Sequence, residues 1–266
     1  MAGEPLRGPA LRTALRATLT HAPAGLLCDV DGTLSPIAPR PELARVSPRV
    51  RRALRALRER LALVAIISGR RPADARRLVG VPGLVYVGNH GLEAHVGRRR
   101  WTHPAAAAAR GPLATVLAAL GERLPAGQVR IESKAYSAAL HYRGASDPAG
   151  VRRAILAQLA ELPAARALQV TEGRQVVELR PPVEVTKGTA ATCLLRRWAL
   201  RSAVFLGDDR TDIDAMRALR AARTGGVQTL TIAVVSAEMP PGLRAEADGV
   251  VEGVPEVEAL LGALAE

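Results

Sequence analysis

Lysine is almost missing from this 266-residue sequence: of its 37 basic residues, only Lys134 and Lys187 are not arginine. Aromatic residues are as scarce, with two Trp, three Tyr and one Phe, so the core must be built from Leu, Val, Ile and Ala. Two cysteines, Cys28 and Cys193, exclude a disulfide framework, and both read as small buried hydrophobes. No apolar run reaches the length of a membrane span, and the N-terminal stretch lacks the apolar centre of a signal peptide. Residues 1–21 are arginine-rich and amphipathic, a pattern shared with transit peptides, and a leading helix is the simpler reading. The expected setting is the cytoplasm. A net charge of +12 raises nucleic acid and anionic membranes as partners. The arginines are dispersed, however, with the densest runs at residues 51–52 and 98–100, and no aromatic ladder accompanies them to stack bases. Neither nucleic acid nor membrane is therefore expected as a partner.

What the chain does have is alternation. Apolar runs at residues 25–30, 63–67, 84–87, 203–206 and 229–235 read as buried strands. Helical spacings such as Val50, Leu54, Leu57 and Leu61 lie between them. The pattern predicts an α/β fold, a Rossmann-like doubly wound parallel sheet covered on both faces. From residue 106 the pattern changes. A helical segment reaches about residue 124, short runs at 129–132, 137–142, 167–171 and 175–179 read as paired strands, and a helix falls near 151–162. This predicts a smaller α+β unit at residues 106–185, inserted into a core made of 1–105 and 186–266, with Pro181 and Pro182 as a stiff return.

In doubly wound sheets, ligands bind beyond the carboxyl ends of the strands. The polar clusters of this chain all follow its apolar runs. Asp29 and Asp31 end the first run, and two carboxylates so close repel unless they share a cation or a proton. A solvated loop around Gly32 is the other reading of a bare D-x-D-G. Ser68, Gly69 and Arg70 end the second run, where a hydroxyl and free N–H groups can hold phosphate oxygens. Arg70 suits an oxyanion or an ordinary surface position. Asn89 and His90 follow the third run, between Gly88 and Gly91. Asp208, Asp209 and Asp212 follow the fourth, and a strand ending in several carboxylates calls for a divalent metal. Lys187 stands out because the chain uses arginine almost everywhere a cation will do. A compact ammonium on a flexible stem bridges a carboxylate and a phosphate where a planar fork would clash.

The string DVDGTLSPI at residues 29–37 resembles the first motif of the haloacid dehalogenase-like phosphatases, and its LSPI ending resembles the trehalose-6-phosphate phosphatase branch. SGR at 68–70, GNHGLE at 88–93, KGTA at 187–190 and GDDRTD at 207–212 follow in the family's order. Met216 departs from the pattern, which often has an aromatic there. In the inserted unit, ESK at 132–134, HYR at 141–143 and VELRP at 177–181 resemble the sugar-recognising strings of the same branch. The resemblance runs from about residue 26 to 261. It implies Mg²⁺ held by Asp29, Asp31 and Asp208, with Asp29 as nucleophile, Asp31 as general acid and base, and Lys187 neutralising charge. It also implies phosphate or substrate contacts from Ser68, Gly69, Arg70, Asn89 and His90, and Asp209 and Asp212 orienting water or Lys187. Sugar contacts would come from Glu132, Lys134, Arg143 and Glu178, and a solvated salt-bridge ladder is the alternative for that strand face. The implied reaction is hydrolysis of trehalose 6-phosphate through an aspartyl phosphate, with a trehalose-6-phosphate synthase as a conceivable partner. A related sugar phosphate of the sucrose or mannosylglycerate type, or a catalytically silent sugar-phosphate sensor, are the rival readings.

Overall fold

The structure is a computed structural model that describes residues 4–38, 40–124, 127–173, 175–237 and 239–266. The chain opens with α1 (Gly8–Leu19), β1 (Ala24–Cys28), α2 (Pro48–Arg60), β2 (Leu63–Ile67), α3 (Pro72–Val79), β3 (Val85–Gly88), β4 (Glu93–Val96) and β5 (Arg99–Thr102). It continues through α4 (Pro104–Arg123), β6 (Arg130–Ser133), β7 (Ala138–His141), α5 (Pro148–Glu161), β8 (Gln169–Gly173) and β9 (Val176–Arg180). It closes with α6 (Lys187–Arg197), β10 (Ser202–Gly207), α7 (Arg210–Ala222), β11 (Gln228–Val235), α8 (Leu243–Glu246), β12 (Gly249–Glu252) and α9 (Gly253–Ala265). Two compact units result: Met1–Trp101 with Val185–Glu266, and Thr102–Glu184.

The larger unit carries an eight-stranded sheet in the order β12-β11-β10-β1-β2-β3-β4-β5. Strands β12 through β3 are parallel neighbours. Their side chains alternate between two buried layers, which is why these strands read as continuous apolar runs. Leu26, Cys28, Val64, Ile66, Val204 and Leu206 pack on one face with Leu11, Leu54, Leu57 and Leu261 from α1, α2 and α9. Leu27, Ala65, Ile67, Ala203 and Phe205 pack on the other with Leu194, Leu195 and Met216 from α6 and α7. Met216 is fully buried in that second layer.

Two features depart from the sequence reading. The sheet is not wholly parallel: β4 pairs antiparallel with β3, and β5 lies outside it. This edge was illegible because Arg98, Arg99 and Arg100 are exposed and no apolar run marks the strands. Cys193 is exposed, on the outward side of α6, whereas Cys28 is buried.

The smaller unit is a four-stranded antiparallel sheet, β6-β7-β9-β8. One face supplies Ala138, Leu140, Val177 and Leu179 to a core with Leu113, Val116 and Leu120 of α4 and Val151, Ile155 and Leu159 of α5. The opposite face is left without helices from this unit's core.

Candidate active site

The site grows from the carboxyl edge of β1, which lies between β10 and β2. Cys28 is level with Leu206 on one side and Ile66 on the other, so Asp29, Asp208 and Ser68 leave the sheet as near neighbours. The Asp29 N–H donates to the Leu206 carbonyl at 2.9 Å, carrying the pairing one residue past the strand. The chain then turns tightly, with the N–H groups of Leu34 and Ser35 both donating to the Val30 carbonyl at 2.9 Å. Within this turn Thr33 Oγ1 donates to Asp208 Oδ1 at 3.0 Å. Gly32 has φ +84°, and a Cβ there would lie 1.9 Å from Asp208 Oδ2. Only glycine lets the turn close against that carboxylate.

Lys187 reaches the same point from α6. Thr186 caps this helix, its hydroxyl accepting from the N–H groups of Gly188 (3.1 Å) and Thr189 (3.3 Å), so Lys187 falls in the first turn. A cation at a helix N-terminus opposes the helix dipole, and two carboxylates offset this. Lys187 Nζ donates to Asp29 Oδ1 and to Asp212 Oδ1, both at 2.7 Å, and all three residues are at most 4% exposed. Burial works against the ammonium, but Asp212 and Asp29 outweigh it and raise the Lys187 pKa. Burial raises the Asp29 pKa well above the usual carboxylate range, with Lys187 pulling it down and Asp212 and Asp208 pushing it up. Asp208 is pushed up to about 7, first by burial and then by Asp212, against the Thr33 hydroxyl and Lys187.

The acidic string at the start of α7 divides its labour. Asp209 is the N-cap and Asp212 sits three residues on, in a capping box. Asp212 Oδ2 accepts from the N–H groups of Asp208 (3.1 Å) and Asp209 (2.9 Å), while its Oδ1 holds Lys187. Asp209 is exposed, and its side chain accepts from the Arg210 N–H at 2.5 Å.

Asp29, Asp208 and Asp212 each place a carboxylate oxygen within 4.8 Å of the others, and all three are buried. Hard oxygen donors in this number suit Mg²⁺. Burial first, and neighbouring carboxylates after it, raise Asp29 and Asp208, and a divalent cation would offset both penalties on the ionised forms. Asp212 is already engaged through both oxygens, so Asp29 and Asp208 fit the role of direct ligands best. The donor set therefore fits the metal that the motif implies.

Arg70 grips Asp31 with a two-pronged contact, Nε to Oδ2 and Nη2 to Oδ1, both 2.7 Å. That fork raises the Arg70 pKa, with burial opposing it. Ser68 is buried, and its Oγ accepts from the Arg70 N–H at 3.1 Å. A Cβ at Gly69 would lie 2.9 Å from the His90 ring, so the loops after β2 and β3 touch there. Asn89 is buried and donates its side-chain amide to Glu93. Burial raises the Glu93 carboxyl, opposed by Asn89 and Arg71.

In the smaller unit, Glu132, Ala139, Glu178 and Thr171 form one row across the four strands, on the face opposite its core. Glu132 is a hub: His141 Nε2 lies 3.2 Å from it, Lys134 Nζ 3.8 Å and Arg130 Nη2 4.0 Å. Arg143 is exposed beyond β7. Sequence reasoning singled out neither Thr33 nor Glu93 as a site residue. The four-residue step from Asp29 to Thr33 was readable, but a partner for Glu93 was not.

A doubly wound sheet with carboxylates at two strand ends and an inserted α+β unit defines the haloacid dehalogenase-like fold class. The chain belongs to the trehalose-phosphatase family, whose sequence model matches residues 27–242. It is 40% identical over 217 residues to a Mycobacterium tuberculosis protein described as an uncharacterized glycosyl hydrolase, covering 77% of this chain and 16% of that one. It is 38% identical over 195 residues to a trehalose-phosphate phosphatase of M. tuberculosis, covering 70% of this chain and 49% of that one. The chain thus spans at most about half the length of these curated relatives. Among solved structures, Aspergillus fumigatus trehalose-6-phosphate phosphatase matches with a TM-score of 0.70 and 28% identity over 99% of both chains. Among the described residues, no helix is long and apolar enough to cross a membrane.

Proposed function

We propose that this chain hydrolyses trehalose 6-phosphate to trehalose and phosphate, using Mg²⁺ and a phosphorylated Asp29. Family membership supports the substrate. The observation that carries the chemistry is the buried Lys187 ammonium, 2.7 Å from both Asp29 and Asp212. In this reading Asp29 presents a carboxylate oxygen to phosphorus, oriented by Lys187. As the bond to phosphorus forms, the bond from phosphorus to the sugar oxygen breaks, and Asp31 delivers a proton to that oxygen. Asp31 then takes a proton from water, whose oxygen bonds to phosphorus as the Asp29–phosphorus bond breaks. Phosphate leaves, and the Asp29 carboxylate and protonated Asp31 return. Ser68, the N–H groups around Gly69 and Lys187 balance the charge on the phosphoryl oxygens. Asp29, the Asp31 carbonyl and Asp208 would hold Mg²⁺, which supplies further neutralisation of the phosphate.

Residues 106–185 take the role of sugar recognition, through Glu132, Lys134, Arg143 and Glu178. A trehalose-6-phosphate synthase is the source of substrate and the partner to seek, and the cytoplasm is the place of action. The test is a panel of trehalose 6-phosphate, sucrose 6-phosphate, mannosylglycerate phosphate and glucose 6-phosphate, each with Mg²⁺ and with a chelator. Trehalose 6-phosphate is expected to have the highest kcat/KM, and chelation to stop release. Equal turnover of the other sugar phosphates would remove the trehalose assignment.

A further inference from the structure

The segment from β3 to β4 holds two adjacent non-glycine residues in the left-handed region, Asn89 at φ 48° and His90 at φ 59°. Non-glycine residues adopt this backbone uncommonly, Asn and His more readily than most, and two in succession are held in it by their surroundings. Here the surroundings are main-chain stitches to the neighbouring loop. The Asn89 N–H donates to the Arg70 carbonyl at 2.9 Å, the His90 N–H to the Ser68 carbonyl at 3.1 Å, and the Ser68 N–H to the Val87 carbonyl at 3.0 Å. Asn89 is 2% exposed, and its side-chain amide donates to Glu93 Oε1. Its own Oδ1 meets no donor among the described residues. Glu93 is the acceptor that fixes this buried amide, from the first position of β4.

A line of contacts therefore leads from Glu93 to Asn89, from the Asn89 N–H to the Arg70 carbonyl, and from the Arg70 fork to Asp31. We propose that Glu93 is a positioning residue for the reaction: by anchoring Asn89 in its left-handed conformation, it sets where Arg70 stands and so where the Asp31 carboxyl points. The proposal rests on Asp31 being the acid–base group. A merely structural Glu93 would hold the edge hairpin together and leave the Arg70–Asp31 fork unaffected.

The experiment compares the wild-type protein with Glu93→Ala and Glu93→Gln, by steady-state kinetics on trehalose 6-phosphate and by crystal structures. Misplacement of a reacting group by about 1 Å costs up to about a hundredfold, so Glu93→Ala should lower kcat about tenfold to a hundredfold, with KM within about twofold. Glutamine keeps an oxygen that can accept from the Asn89 amide, so Glu93→Gln should stay within about threefold of the wild type, an order-of-magnitude expectation for a retained neutral hydrogen bond. In crystals of Glu93→Ala, Asn89 should leave the left-handed region and the fork on Asp31 should open. Wild-type kcat in Glu93→Ala, an intact fork in its crystal, or an equal loss in Glu93→Gln each overturns the proposal. If Glu93→Ala does not fold, Glu93→Asp, one methylene shorter, is read by the same criteria. A wild-type protein inactive on every sugar phosphate overturns the proposed function alone. The crystal comparison still decides the positioning role, because the fork is seen without turnover.

Discussion

Lys187 and Lys134 are the same side chain in opposite settings. Lys187 is buried, with two carboxylate oxygens at 2.7 Å that hold its charge in place before any ligand arrives. Lys134 has a side chain 34% exposed and one carboxylate at 3.8 Å, just past the end of β6. The first arrangement is pre-organised charge, and it is costly unless every partner is present. The second is an exposed pair worth about 0–1 kcal/mol, which leaves the ammonium free to exchange partners. The larger unit is thus built to hold an electrostatic field still, and the smaller one to adapt.

The largest break in this contrast should come from Asp29→Asn. It should remove turnover by at least about 10⁴-fold, as nucleophile losses do elsewhere, and phosphate release at the wild-type rate would refute its role as nucleophile. Next, Lys187→Met leaves two buried carboxylates facing each other without their cation. Breaking such a pair costs about 3–5 kcal/mol, read as a lower urea midpoint, together with loss of activity. Lys187→Arg should not rescue activity, and a fully active arginine variant would end the argument for a point charge.

A pH effect of intermediate size is expected from Asp208. Its folded value of about 7 lies above the ordinary 3.8, so the folded state of the metal-free protein binds the extra proton between these values. The contribution of Asp208 to stability is complete below about 3.8 and declines as pH rises through about 7. Thermal melting without metal should show this decline, and Mg²⁺ should stabilise the protein more at pH 7 than at pH 4. Equal stabilisation at both pH values would count against Asp208 as a ligand. The smallest structural effect belongs to Lys134→Ala, which should change stability by less than about 1 kcal/mol while raising KM for the sugar phosphate. An unchanged KM would place Lys134 outside recognition.

The strand ends were legible because continuous apolar runs stop at acids: residues 25–28 precede Asp29, and residues 203–206 precede Asp208. Lys187 was legible because the chain spends arginine elsewhere. Pairings across distant segments were not. The fork from Arg70 to Asp31 depends on how the loops after β1 and β2 face each other, and spacing along the chain does not encode that. Nor did the string GDDRTD reveal which acid turns inward. The helix begins at Arg210, so Asp209 is left outside as a cap while Asp212, three residues on, swings back toward Lys187. The β4–β5 edge is not legible because β4 is short, mixed in character and mostly half-buried and β5 is mostly exposed, without the continuous apolar run that marks the inner strands.

The order of strands has a consequence for synthesis. β1 is made well before its neighbour β10, which follows only after the whole of α4 through α6. Until β10 docks, Asp29 has neither Asp208 nor the Lys187–Asp212 pair beside it. A chain that has not yet reached β10 therefore carries only part of the acidic cluster, and its three buried carboxylates meet only once β10 and α7 have joined β1.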